Sequence, residues 1–422
     1  MGPTLYDGLM KMRSGDRHRA TRLEPWLVVL PVGLGTALAL LGDAALYTVL
    51  PTHTADVGVT MASVGLLLSA NRWIRLLLNG PAGVAFARWR RRPLFVAALF
   101  LGAISTAIYA VAGSLPPLLL GRLLWGTAWA GIWIGGNTII LDISKATDRG
   151  RWVGIYHVAF YLGEAGGALL GGLLTDLIGF QQAMWVNSGL TFAGALVALF
   201  WLPETRTQAL DTTWRTSTRA WWALPRVDKP EPEFVAVLAL LAGTRLATAG
   251  FLLATFNLYL ARRLGATVQV GGLTVGVATL TGALLGSHAL VSMVAAPTFG
   301  AWSDRRGNRW VLATWGLLAG FLGFALFVFA GPIGALFGVS LTAVAGGGSQ
   351  SLSTALIGDM HDGEHLGLRL GALYTVADLA GAAGPLLAFA LIPSLGTGGL
   401  YLLASLLFLG LAVMSYRYSK KE

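Results

Sequence analysis

The chain has 422 residues, of which 55% are hydrophobic and only 12% charged. Soluble domains carry about 25% charged residues, so this composition excludes a globule covered by water. The net charge is +10, and there is no cysteine to supply a disulfide frame, a thiol nucleophile or a Cys metal site.

In chain order, residues 1–25 form a basic tail, read as cytoplasmic. Twelve apolar spans follow, at about 26–51, 61–86, 94–113, 117–142, 151–175, 182–202, 234–259, 271–299, 310–331, 333–358, 369–391 and 398–416. Each is long enough to cross roughly 30 Å of hydrocarbon. The first is full length and shows no cleavage site, so it is read as retained rather than as a signal peptide. The fold class is therefore an all-α membrane protein with twelve transmembrane helices. The longest connection, 203–233, separates a bundle at 26–202 from a bundle at 234–416, and 417–422 is a second short tail. Within the connection, Leu210, Trp214 and Trp221 fall on one side of a helix and Arg215, Arg219 and Arg226 on another. That is the pattern of an amphipathic interfacial helix, with a disordered loop as the alternative.

Lys and Arg crowd the loops on the side of both termini, whereas the opposite loops hold only Arg262 and Arg263. This bias places both termini in the cytoplasm. It also explains the +10 without nucleic acid, since the positive charge is spread along one membrane face.

One constant offset relates the two bundles. It maps Gly83 to Gly300, Arg88 to Arg305, Arg92 to Arg309, Asp142 to Asp359, Gly154 to Gly371 and Gly167 to Gly384. Two six-span halves repeated in parallel imply pseudo-two-fold symmetry about the membrane normal, with a substrate site near midplane between them. The turn after span eight reads Gly300-x-x-x-Asp304-Arg305-x-Gly307-x-Arg309. Its first-half copy has Ala87 for the acid and Arg90 for the second glycine. Span four carries Arg122 followed by Trp125 and Gly126. Span five carries Gly154, Gly163, Gly167, Ala168, Gly171 and Gly172.

These motifs resemble those of the major facilitator superfamily, over essentially the whole chain. The turn is similar to its motif A, Arg122-x-x-Trp125-Gly126 to motif B with Trp for Gln, and the span-five glycines to motif C with Ala168 for Pro. The third motif resembles that of the proton-coupled drug exporter branch. The resemblance implies a secondary transporter, not an enzyme, working as a monomer in a bacterial inner membrane with the proton as its coupling ion and no cofactor. Its partners would be a small-molecule substrate and the lipid bilayer.

Charges within the spans are costly unless paired, and usually functional. The acids are Asp43, Glu164 and Asp378, and the bases Arg72, Arg75, Arg122 and Arg245, with His288 in span eight. Asp43 and Arg122 are the preferred coupling pair, because an acid beside an Arg stays ionised until that Arg is drawn away. Glu164 and Asp378 are further proton-coupling candidates. Arg72, Arg75 and Asn79 share one face of span two, and two arginines one turn apart call for a nearby anion. Arg245, Gln350, Tyr161 and Tyr374 complete the substrate-binding candidates. Gly163, Gly167 and Gly171, four residues apart, present a bare face to another helix, with Gly154 and Gly172 in the same packing set. No P-loop pattern supports direct ATP drive.

The leading expectation is proton-coupled antiport that exports small amphipathic organic compounds by alternating access. Symport of a small organic anion or polar nutrient, and flipping of a lipid or lipid-linked substrate, remain open. The latch residues expected at the inner turns are Gly83, Arg88, Arg92, Asp142, Gly300, Asp304, Arg305, Gly307, Arg309 and Asp359. In the family, the motif A acid lies at the N-terminus of a helix of the opposite half when the inner side is closed, an anion at a positive dipole end. Asp304 is thus expected near Arg149 to Trp152, while Ala87 leaves the matching contact near Leu366 to Arg369 empty. Asp304→Asn should shift the inward/outward population in a spin-label distance measurement; an unchanged population refutes a one-sided latch.

Overall fold

The computed structural model describes residues 24–144, 148–206, 231–270, 272–360 and 366–420. Helices α1 (Pro25–Val49), α2 (Met61–Arg88), α3 (Arg91–Val111), α4 (Leu115–Ile143), α5 (Arg149–Ile178) and α6 (Phe180–Trp201) form one half. The other holds α7 (Pro232–Leu264), α8 (Val277–Arg306), α9 (Arg309–Phe329) and α10 (Gly331–Asp359). A final helical run, Leu366–Ser419, is interrupted at Gly396, whose φ of 66° is left-handed, giving α11 (366–395) and α12 (397–419). Among the described residues, ten stretches are long and apolar enough to cross a membrane, the last being the run that Gly396 divides. The basic tail up to residue 23 and the proposed amphipathic helix, which falls on 207–230, lie outside the described residues.

Local chemistry sets several helix ends. Pro25 and Pro232 begin α1 and α7, where a missing N–H costs nothing. Hydropathy alone starts span eight at 271, and the structure corrects this. An antiparallel hairpin occupies that stretch, β1 (Thr267–Val270) against β2 (Leu273–Gly276), with Gly272 at φ 84° in its turn. Thr267, Val268, Thr274 and Val275 are β-branched and favour strand, so α8 begins only at Val277. Within α7, Leu246–Leu252 is π-helical, a wider turn that loosens the regular backbone ladder.

The face bearing both chain ends and the Arg-rich turns is termed the inner face. Its two equivalent turns differ in backbone. Between α8 and α9, Gly307 takes φ 78° as a left-handed cap, and the Asn308 side chain accepts the Val311 N–H at 3.0 Å. Between α2 and α3, Trp89 and Arg90 have φ of −108° and −62°, so no glycine is needed there. The first α3 amides, of Arg91 and Arg92, donate instead to the Glu204 carboxylate at 2.9 and 3.3 Å. The copy of the motif therefore lost its second glycine where the turn does not use it.

The constant offset slips by one residue at this turn. Arg309 opens α9 and pairs with Asp359; its counterpart in position is Arg91, which opens α3 and reaches Asp142 at 3.2 Å. Arg92, aligned with Arg309 by sequence, donates to the Leu199 carbonyl. Asp304 is held by Arg309 of its own half at 2.8 Å, with its side chain 66% exposed. The Ala87 carbonyl accepts from Arg206, and Arg369 pairs with Glu231 at 3.1 Å.

Glycines decide how closely the helices approach. A Cβ at Gly163, Gly167 or Gly171 of α5 would strike Ala37, Leu41 and Ala45 of α1 in turn. One bare stripe of α5 thus lies along one stripe of α1, each read at every fourth residue. Gly172 sits against the Ala278 carbonyl of α8, and Gly282 of α8 against the Ala168 carbonyl of α5, so the halves cross backbone to backbone. Gly65 of α2 meets the Pro385 carbonyl of α11 at 2.8 Å from its virtual Cβ. All three contacts lie towards the outer face.

Hydrogen bonds seal the same face. Asp176 accepts from the backbone N–H and the hydroxyl of Thr279, both at 2.6 Å, at the N-terminus of α8. Gly276 lies against that carboxylate, and a Cβ there would collide with it. The Asn257 amide of α7 donates to the Thr48 carbonyl at 2.5 Å and the Thr52 hydroxyl at 2.8 Å. Towards the inner face the packing opens: among the described residues, nothing lies within 4 Å of a virtual Cβ at Gly83, Gly154 or Gly371. The halves meet outside and at midplane and part inside.

This contrast gives a direct test. Gly167→Leu should lower the thermal unfolding temperature of the detergent-solubilised protein, since overpacking costs about 1–3 kcal/mol. Gly154→Leu should leave it unchanged. Equal shifts would show that the α1–α5 stripe is not the tight contact.

Candidate functional site

Between the halves at midplane lies a cavity of about 80 Å³. Asp43 and Tyr47 of α1, Arg72 of α2, Glu164 of α5 and His288 of α8 supply its polar lining. Leu40, Leu253 and Leu285 give it an apolar wall. Helical spacing builds the α1 part, because Asp43 and Tyr47 are one turn apart and share a face.

Asp43 and Arg122 are joined by a 2.5 Å ion pair. Arg122 is wholly buried, and its Nε donates to the Leu67 carbonyl at 2.9 Å, while Nη2 has no partner. The Tyr47 hydroxyl donates to the Leu68 carbonyl at 2.5 Å, which fixes its ring between two cations. The Arg122 guanidinium lies 5.2 Å from the ring centroid and that of Arg72 5.4 Å. Tyr47 separates the coupling pair from Arg72, and cation–π attraction holds both guanidinium groups in place.

The two span-two arginines do not form one anion site as expected. They part, and each crosses to the opposite half. Arg75 pairs with Asp378 of α11 at 3.5 Å. Arg72 donates Nη1 to the Ala249 carbonyl at 3.0 Å and to the Gly381 carbonyl. Ala249 lies in the π-helical part of α7, so the irregular turn offers its carbonyl to the other half. Asp378 is thereby taken by Arg75 rather than by Arg245, which donates to Gln350 instead.

Glu164 has no hydrogen bond or ion pair among the described residues. The charges acting on it most are those of Arg245 and Arg72, with Asp43 opposed. Tyr161 is one turn away on α5 and feels the same Glu164 and Arg245 charges. His288 has a buried Nε2 with no hydrogen-bond partner. Asn79 has no partner among the described residues. Tyr374 meets Thr354 at 2.9 Å, far along the bundle from the cavity lining. Sequence reasoning missed Tyr47 and Asp176. Tyr47 was findable as the residue one turn after Asp43, whereas Asp176 sits beyond the apolar run that defined span five.

The family model described as Major Facilitator Superfamily matches residues 32–288 and 238–422. An Acurin A biosynthesis cluster MFS-type transporter of Aspergillus aculeatus is 28% identical over 181 residues, 42% of this chain and 31% of that protein. An MFS-type efflux transporter, pyiT, of Pyricularia grisea is 26% identical over 199 residues, 44% of this chain and 33% of that one. The chain thus spans about a third of the length of these curated relatives. A crystal structure of a bacterial homologue of the human lysosomal transporter Spinster, inward-facing and occupied, superposes with a TM-score of 0.73 at 16% identity. It covers 93% of this chain and 96% of that one.

The two ion pairs differ in burial, and so should the cost of breaking them. Asp43→Ala strands a wholly buried Arg122 and should destabilise by about 3–5 kcal/mol. Asp378→Ala strands Arg75, whose side chain is 19% exposed, and should cost less. Thermal unfolding of both variants checks the order; a reversed order would contradict the burial.

Proposed function

The chain belongs to the Major Facilitator Superfamily and is a multi-pass membrane transporter, and on that premise we propose that it exports small amphipathic organic compounds by proton-coupled antiport. The observation that carries this reading is the Asp43–Arg122 pair on the wall of the midplane cavity. A carboxylate that gains and loses a proton there changes the charge of a low-dielectric site between the halves. That change is large enough to bias which half-to-half packing is favoured.

In this scheme the structure corresponds to a carrier that has delivered its proton inwards. Asp43 is paired with Arg122, and the inner side is open for cargo. Closure around cargo and opening outside require the Asp176–Thr279 and Asn257–Thr48 bonds to break. A proton arriving from outside then neutralises Asp43, frees Arg122 from its partner and prepares the return. Names among the relatives that include efflux are in keeping with the direction. Symport is the second reading, favoured by Arg72 and Arg245, which have only neutral hydrogen-bond partners.

Asp43→Asn keeps the shape and removes the titration. In proteoliposomes the variant should bind cargo as before and lose gradient-driven transport. Transport at the wild-type rate in this variant would sink the coupling assignment. Proton efflux from acid-loaded vesicles on adding cargo marks antiport, whereas protons entering with cargo mark symport.

A further inference from the structure

We infer that the cargo held in the midplane cavity is an amphipathic organic monoanion, bound through its carboxylate by Arg72 and the Nε2 of His288. The inference rests on the transporter reading above and names the substrate class of the same site.

Charge balance is the first argument. Asp43 is matched by Arg122 and Asp378 by Arg75, each in direct contact. The remaining bases, Arg72 and Arg245, donate only to carbonyl and amide oxygens. Only Glu164 is left to balance them, and it touches neither. Counted formally, with histidine uncharged, these four arginines exceed the three acids by one positive charge. Such a charge is costly in hydrocarbon without a counter-ion, and a bound monoanion cancels it.

The second argument is independent of charge. His288 lines the cavity, and its buried Nε2 has no hydrogen-bond partner among the described residues. A buried nitrogen left unpaired is unfavourable, and in the Nε2–H tautomer it is a donor waiting for an acceptor. Among the described residues the hydrogen bonds of Arg72 run from Nη1 alone, anchored across the halves. In the proposed pose one anionic oxygen accepts from both side chains. Leu40, Leu253 and Leu285 then cover an apolar stem.

Equilibrium binding without any gradient tests this separately from proton coupling. The probes are phenylacetate, 2-phenylethanol and 2-phenylethylamine, which share shape and differ in charge. Purified protein in phosphatidylcholine nanodiscs, followed by tryptophan fluorescence, should bind phenylacetate at least about tenfold tighter than the other two. The preference should disappear in Arg72→Gln and weaken in His288→Phe. Should Arg72→Gln not fold, Arg72→Met, which is apolar and needs no partner inside the bundle, serves in its place. Tighter binding of the amine or the alcohol overturns the proposal, as does an anion preference kept in all three variants. An anionic lipid headgroup offers the same charge, so the measurement is repeated with phosphatidylglycerol in the discs. Phenylacetate binding unaffected by it supports a soluble cargo; binding abolished by it assigns the charge to lipid and overturns the proposal. If the anion preference holds while Asp43→Asn still transports, the substrate class stands and the coupling reading falls.

Discussion

A charge in the membrane interior must find a partner, and the architecture of this chain follows from how each one does. Asp43 and Arg122 satisfy one another within the first half. Arg72 and Arg75 find nothing sufficient there and reach into the second half, to Ala249, Gly381 and Asp378. Desolvated charge thereby becomes the bond between the two bundles at midplane. Outside that level the halves are joined by close backbone contact at Gly65, Gly172 and Gly282, and these approaches work only because no side chain intervenes.

This division has a mechanical meaning. Contacts within a half, such as the α5 glycine stripe on α1, are dense and continuous and move as one body. Contacts between halves form a seam of close glycine crossings, α5 on α8 and α2 on α11, together with directional polar bonds. The π-helical turn of α7 belongs to the seam, since its Ala249 carbonyl accepts a guanidinium from the opposite half.

Much of this was legible in the residues. Apolar runs located the helices, and glycines at every fourth position marked a face that meets another helix, which is α1. The adjacency of Asp43 and Arg122 was expected from the family resemblance, in which spans one and four line the cavity. What could not be read was the rotation of each helix against its neighbours. Arg72 and Arg75 look like a pair on a helical wheel, yet a few ångströms of depth send one to a carboxylate and the other to carbonyls. The one-residue slip that puts Arg91 rather than Arg92 on Asp142 depends on where a helix starts, which a constant offset cannot see. The hairpin at 267–276 was hidden because its β-branched residues are also apolar enough to extend a hydropathy run.

The outer seal at Asp176 carries a consequence for how such a protein varies through descent. One side of that bond is a peptide N–H at the start of α8, which every residue type but proline supplies. Drift at position 279 therefore preserves the backbone half of the contact, and only the hydroxyl half is at risk. The strength of the seal is instead concentrated in two places, the carboxylate of Asp176 and the bare Cα of Gly276 that makes room for it. A lineage that needs its carrier to open more readily to the outside has just those two positions through which to retune it without repacking a helix.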